Sequence, residues 1–356
     1  MYQDNIYHFI IVTILLLLIS SYILIGFVIF LRIINKYRIK QKTLFLNNWE
    51  SFIFSFLENE SDPKDLINRI PKRKFKYLLE YLKEFLLSLK GEDFNKLTSL
   101  INKTILSDYL LKKLNSKNKK NIIFSSFFAG VSGIEKAEQL LKEKIRIHNQ
   151  QIFFNCSVAL AKINSFSSLE LILHEFIKYN NLGNDYLLLI LTEYDAKICD
   201  EILKILVEEK STSLVTTFLR VLRYYKYRGA GPFVLQIIVY THTKEIILEC
   251  LKFFEEIRYE PATSAVSRLL EHKFPEIRSQ AIKTICKLDN KSFEEKIFTK
   301  LLDDVYDVQY QAGLAMIDYY GDGESRLEEL AYSIQKGNSS AISRMLLSEK
   351  KVRDGK

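Results

Sequence analysis

The sequence predicts an all-α protein: a single N-terminal transmembrane helix followed by an α-solenoid of stacked helix pairs. Three observations carry that prediction. Residues Ile6 to Leu31 run for 26 positions without a charged side chain. The rest of the chain repeats with a period of about 31 residues. Gly and Pro number only 12 and 5 in 356 residues, too few turn formers for a sheet protein of this length.

At about 1.5 Å of rise per residue, the 26-residue run extends roughly 39 Å as a helix, against a hydrocarbon core of about 30 Å. Arg32, Lys36, Arg38, Lys40 and Lys42 follow at once, while only Asp4 and the terminal amine precede the run. The positive-inside rule keeps such a cation cluster in the cytoplasm. It places the N-terminus outside a cell membrane and everything after Arg32 inside. A cleaved signal peptide would need a basic start, a shorter apolar stretch and a small-residue cleavage site. The same five cations are set to contact anionic lipid, at about 1 kcal/mol each.

Residues 32–121 read as a basic juxtamembrane segment and a helical neck. Ile53 to Leu57 and Leu97 to Leu114 have helical spacing. Phe75, Leu78, Leu79, Leu82, Phe85, Leu86 and Leu89 form an apolar stripe, with Gly91 as the closing C′ glycine. The five lysines between Lys112 and Lys120 predict a solvated loop. Residues 44–116 are expected to cover the N-terminal end of the stack, because an uncapped repeat exposes apolar surface.

Residues 122–330 carry the repeat. Pro275-Glu-Ile-Arg-Ser-Gln-Ala281 aligns with Tyr306-Asp-Val-Gln-Tyr-Gln-Ala312, a separation of 31. Counting back by 31 from Ala281 reaches Cys250, then Leu219, Leu188, Ser157 and Ser126. Small residues there, above all Cys250, Ala281 and Ala312, let paired helices approach closely. Second helices lie between these points: Ala262, Ala265, Val266, Leu269 and Leu270 follow helical spacing, with Arg268 and Glu271 off the stripe. Two amphipathic helices in 31 residues cannot bury both stripes alone, but stacked copies can. Residues 331–356 read as a C-terminal helix and a frayed tail after Ser348.

In these residues the chain resembles the HEAT repeat family, in its short bacterial form. Pro261, Leu269-Leu270, Pro275, Ile277-Arg278 and Ala281 carry the likeness in one repeat. Leu301-Leu302-Asp303-Asp304, Val308 and Ala312 carry it in the next. The layout is also similar to bacterial membrane-anchored HEAT repeat proteins that accompany glycosyltransferases making cell-surface polysaccharide. It shares their N-terminal span and basic stretch, a tryptophan early in the soluble part (Trp49), Gly91-Glu92, and a terminal Gly321-Asp-Gly323 turn before Leu327 and Leu330. The resemblance implies a scaffold whose partner is a membrane glycosyltransferase. The chain departs from the repeat pattern at Gln309, where an arginine is usual. Any Arg–Asp ladder is therefore left resting on Arg278.

No catalytic constellation stands out. The histidines (His8, His148, His174, His242, His272) show no paired spacing, and the four cysteines (Cys156, Cys199, Cys250, Cys286) form no CxxC motif, so reduced thiols packed as small apolar groups are expected. Gly229-Ala-Gly231-Pro232 lacks the Gly-Lys-Ser/Thr of a phosphate loop. Asp303, Asp304 and Asp307 match no EF-hand, and neither do Asp322 and Glu324; helix capping is the simpler reading. One surface segment rises above background: Arg220, Arg223, Tyr224, Tyr225, Lys226, Tyr227 and Arg228 concentrate the residue types of interface hot spots. The simpler reading makes one or two of those tyrosines core and sets the cations at a helix C-terminus. Much of the net charge of +8 is local, to the five cations beside the span, to Arg69 to Lys76 and to Lys112 to Lys120.

The expected function is therefore a non-enzymatic, membrane-tethered scaffold with no cofactor or metal, binding a protein through its repeat surface. Two alternatives remain at this level, a HEAT-like bilin lyase and a HEAT-like nucleic-acid-binding glycosylase. The anchor disfavours the first. The placement of the lysines, concentrated near the membrane and in one segment, makes nucleic acid an unlikely partner.

Overall fold

The computed structural model describes residues 2–58, 63–179, 182–288, 291–332 and 337–355. Among these, the side chains of 2–11, 38, 42, 45–48, 50–52, 63, 65, 66, 291, 337 and 338 fall outside the description. The described residues are all-helical, with no strand. They divide into two compact units, Met1–Leu140 and Leu141–Lys356.

In the first unit, α1 (Tyr2–Leu57) is one uninterrupted helix of 56 residues. The sequence predicts a separate helix at Ile53 to Leu57; instead the N-terminal helix simply continues through it. Nothing between Arg32 and Leu57 is proline or glycine, so no residue forces a break. Within Val12–Gln41 an 18-residue window has a mean hydropathy of 2.9 with no residue of it buried, so the helix is long and apolar enough to cross a membrane.

Five helices follow: α2 (Pro63–Asn68), α3 (Phe75–Ser88), α4 (Glu92–Asn102), α5 (Ile105–Leu114) and α6 (Lys119–Val131). The stripe expected on α3 is the buried one: Phe75, Leu78, Leu79, Leu82 and Leu86 all lie in the core. Gly91 departs from expectation. It does have positive φ (72°), but α3 ends at the extended residue Leu89, and Gly91 stands as the N-cap of α4. The Lys112 to Lys120 segment also differs. Lys112 and Lys113 close α5, Lys119 and Lys120 open α6, and Asn118 caps α6 by accepting from the Lys120 amide at 2.9 Å. Capping reduces the predicted loop to four residues, 115–118.

Helix α7 (Glu138–Ile145) leads into six helix pairs of the second unit. These are α8/α9 (Gln150–Lys162, Leu169–Ile177), α10/α11 (Asn184–Leu191, Ile198–Leu206), α12/α13 (Thr212–Tyr224, Gly231–Tyr240), α14/α15 (Lys244–Ile257, Thr263–Arg268), α16/α17 (Pro275–Lys287, Glu294–Thr299) and α18/α19 (Tyr306–Tyr319, Gly323–Ala331). Each first helix packs against the first helix of the next pair, from α8 through α18. A last helix, α20 (Gly337–Arg353), packs on α18 and α19. It includes the segment predicted to fray. Lys350 pairs with Glu324, and Arg353 with Asp318 at 3.1 Å, so the end of the chain is held by ion pairs.

The repeat is written in the backbone as well as in the side chains. Gly133, Asn164, Lys226 and Arg258 all adopt left-handed φ values between 48° and 62°. After each, the next amide (Ile134, Ser165, Tyr227, Tyr259) donates back to the carbonyl of Ala129, Leu160, Leu222 or Phe254, the six-to-one bond of a Schellman cap. A short 3-10 turn follows every cap and ends on a small, fully buried residue: Ala137, Ser168, Ala230 or Ala262.

These markers correct the register. The left-handed residue falls 14 positions after the start of α6, α8, α12 and α14, but Lys226 and Arg258 are 32 apart rather than 31. One extra residue therefore sits between Lys226 and Lys244. Restoring it moves the column that ends in Cys250, Ala281 and Ala312 back onto Phe218, Leu187, Cys156 and Ser125. Every one of these is fully buried; strict counting reaches Leu219, Ser157 and Ser126, which are buried too, and Leu188, which is only half-buried.

Candidate functional site

The Arg220 to Arg228 segment spans the end of α12, its cap and the start of the next turn. Most of the side chains singled out there bind neighbouring helices. Arg220 Nη2 lies 2.9 Å from Asp185 Oδ1, and Arg223 Nη1 lies 2.9 Å from Glu249 Oε2. The Tyr225 hydroxyl donates to two carbonyls of the preceding pair, Thr192 O at 3.0 Å and Tyr194 O at 2.6 Å. Tyr227 donates to Asp200 Oδ1 at 2.5 Å, and Arg228 Nη1 to Ile257 O, at the end of α14, at 3.0 Å. Lys226 pairs with Glu256 at 2.7 Å.

Burial pushes the Tyr225 phenol up to about 12, with the neighbouring Tyr224 adding to it. The Asp200 hydrogen bond raises Tyr227 as well, so both phenols remain donors. Tyr224 is different: it is 63% exposed, with its ring edge-on to Tyr225 at 4.9 Å. The cluster is thus a set of inter-helix ties with one outward aromatic. Tyr194 does for the pair before what Tyr225 does here, donating to Ser165 O at 3.3 Å, and the two tyrosines are 31 residues apart. That spacing was visible in the sequence and is the signal that could have identified the ties.

The other features read for chemistry have structural surroundings. Cys156, Cys199, Cys250 and Cys286 are all buried, and none of them forms a disulfide. Burial pushes the Cys199 and Cys286 thiols up to about 12 and raises Cys250 too, which keeps them protonated and unreactive. Gly231 opens α13 where a Cβ would sit 2.5 Å from the Tyr259 ring, so this glycine serves close packing. Asp303 accepts from Arg278 Nε at 2.8 Å and Nη2 at 2.6 Å, and from the Val305 amide at 3.1 Å. Gln309, standing where the repeat pattern has arginine, donates its side-chain amide to the Asp303 carbonyl. His148 stacks on Tyr179, and His8 lies outside the described side chains. Among the described residues no three His, Cys, Asp or Glu side chains could hold a metal ion.

Two surface features remain. Arg32, Lys36 and Lys40 are exposed on α1 at i, i+4 spacing, so they share one face; the side chains of Arg38 and Lys42 lie outside the description. Like charges at this spacing repel by a few tenths of a kcal/mol per pair unless an anion lies alongside.

The second feature is a row that sequence reading missed. Ile147, Ile177, Val207, Tyr240, Leu302 and Tyr332 are each 39% to 83% exposed. Every one lies at, or within three residues of, the C-terminal end of the second helix of its hairpin. Successive members are 30 to 33 residues apart, with the exposed Glu271 filling the step between Tyr240 and Leu302. One exposed apolar residue means little; six at corresponding places of successive hairpins form a recurring feature, interrupted at Glu271.

Comparison with known proteins assigns no family: no family model matches the chain, and no curated protein is similar to it.

Proposed function

We propose that this protein is a single-pass membrane scaffold whose HEAT-like α-solenoid lies on the cytoplasmic side and holds a protein partner. The partner class implied by the sequence resemblance is a membrane glycosyltransferase of polysaccharide assembly. The observation that carries this reading is the row Ile147, Ile177, Val207, Tyr240, Leu302 and Tyr332, which offers apolar anchors at repeat spacing on a water-exposed surface. Charge supports a protein ligand over nucleic acid: residues 141–356 contain 30 Lys and Arg against 30 Asp and Glu. Tethering by α1 would raise the effective concentration of that surface near a membrane enzyme, to about millimolar for a short link.

The test is capture from membranes by the full-length protein. Val207→Glu with Tyr240→Glu should weaken capture more than tenfold without changing helicity, because hot-spot anchors contribute about 2 kcal/mol or more. A reporter active only in the cytoplasm, fused after Lys356, should be active. Undiminished capture by the double variant would overturn the scaffold surface, and an export-dependent signal would overturn the orientation.

A further inference from the structure

The whole charge surplus of the chain falls on the first unit: residues 1–140 contain 21 Lys and Arg against 13 Asp and Glu, and the remainder is balanced. Two adjoining clefts of that unit concentrate the surplus. One, of about 600 Å³, has Lys72, Lys112 and Lys113 on its walls above Phe75, Ile105 and Tyr109. The other, of about 550 Å³, is walled by Lys64, Lys103 and Lys136 with Asn68 and Asn102. They share Ile105 and Asp108, and among the described lining residues Asp108 is the carboxylate that accompanies these lysines. Lys72, Lys103, Lys112 and Lys136 have no carboxylate partner among the described residues, and Lys113 rests over the Tyr109 ring at 5.6 Å. The N-terminus of α5, capped by Thr104, opens into the second cleft and adds its partial positive charge.

We infer that these clefts seat the phosphate of an anionic lipid headgroup from the leaflet into which α1 runs. The inference rests on the spanning reading of α1. Position selects this source of phosphate over a soluble one. Lys74, two residues from Lys72, donates to Gln41 of α1 at 3.2 Å. Gln41 is ten residues beyond Leu31, about 15 Å of helix rise past the apolar run. With a headgroup layer of roughly 5–8 Å, Gln41 stands about 7–10 Å beyond it, near one screening length of about 8 Å, so lysines at that height feel the potential of an anionic leaflet. The apolar lining residues Phe75, Ile105 and Tyr109 suit the glycerol side of a lipid better than a bare phosphate.

The test is lysine footprinting of the full-length protein in nanodiscs of phosphatidylcholine, with or without phosphatidylglycerol. Acetylation at Lys72, Lys112 and Lys113 should slow by about fivefold in the anionic discs, the factor that corresponds to roughly 1 kcal/mol per lysine. The exposed Lys197 and Lys210 of the second unit should label equally in both. Lys112→Gln with Lys113→Gln should remove the protection of Lys72. Equal labelling of disc-embedded protein overturns the inference, as does equal protection in neutral discs by added glycerol phosphate, which would assign the clefts to a soluble ligand. A chain that does not enter discs at all overturns the spanning reading and the inference with it. The partner-binding reading is independent of either result, since no partner is present.

Discussion

The two units use charge in opposite ways. In residues 141–356, thirty cations meet thirty carboxylates, and many pairs join one helix pair to the next. Lys162 reaches Glu193, Lys244 reaches Glu276, Arg278 reaches Asp303 and Arg326 reaches Glu294, at sequence separations of 25 to 32. In residues 1–140, lysines gather at two clefts where, among the described lining residues, Asp108 is the carboxylate. Charge that is satisfied internally fixes the order of helices. Lysines without an internal partner are left to water and to any anion outside the chain. The same residue types therefore do structural service in one unit and, on the inference above, would meet a headgroup in the other.

The strongest way to break this comparison is at Arg278. Its guanidinium and Asp303 are only 14% and 7% exposed, so Arg278→Ala strands a buried carboxylate and should cost roughly 3–5 kcal/mol. Arg278→Met combined with Asp303→Leu should recover most of that. Burial alone pushes the Asp303 carboxyl up, but the Arg278 hydrogen bonds and charge outweigh it and hold it below the ordinary value of 3.8. A depressed pKa in the folded state gives stability that is present above 3.8 and lost as pH falls through the folded value. The advantage of the native pair over the apolar double variant should therefore shrink in acid. Urea unfolding of the detergent-solubilised protein, followed by circular dichroism, measures both effects. Equal losses in the single and double variants would show that the pair is not what joins these repeats.

Next in size are Ala281→Leu and Ala312→Leu. Both positions are fully buried where first helices meet, and each substitution should cost about 1–3 kcal/mol by overpacking. Lys283→Leu, exposed on the same helix as Ala281, should change stability by less than about 0.5 kcal/mol.

Tyr225→Phe removes two hydrogen bonds to the preceding pair and should cost about 1 kcal/mol, while Tyr224→Ala should leave unfolding unchanged. If Tyr224→Ala instead weakens partner capture, the exposed ring belongs to the docking surface. The smallest effect is expected in the first unit: Lys112→Gln should shift stability by less than about 0.5 kcal/mol, because no internal partner is lost.

Much of the helical architecture was legible because apolar spacing is a property of the chain itself. Phe75, Leu78, Leu79 and Leu82 sit on one stripe whatever they pack against. The turns were less legible. Left-handed residues are usually read from glycine, and here Asn164, Lys226 and Arg258 take that conformation. Without the backbone, the extra residue between Lys226 and Lys244 cannot be seen, and strict counting lands one position late from Leu219 back to Ser126.

The surface was harder still. Tyr224 and Tyr225 are adjacent and chemically alike, yet one faces water and the other donates two hydrogen bonds. Composition can show a cluster of hot-spot residues, but it cannot show which way each one points. The exposed row from Ile147 to Tyr332 escaped notice because each member is unexceptional by itself. Only placing every hairpin in the same frame reveals them as a set.

The unbroken α1 has a mechanical consequence. Its 26 residues beyond Leu31 form a rod of about 39 Å with no proline or glycine to act as a joint. The neck is clamped to that rod at two heights, by Lys74 on Gln41 and by Lys96 on the Leu57 carbonyl at 2.7 Å. A thinner bilayer tilts a spanning helix, and a tilt of about 20° would sweep the far end of such a rod sideways by about 13 Å. The first unit would swing with it like the boom of a crane. Membrane thickness would thus become a steering input for whatever the neck carries, with no ligand and no hinge involved.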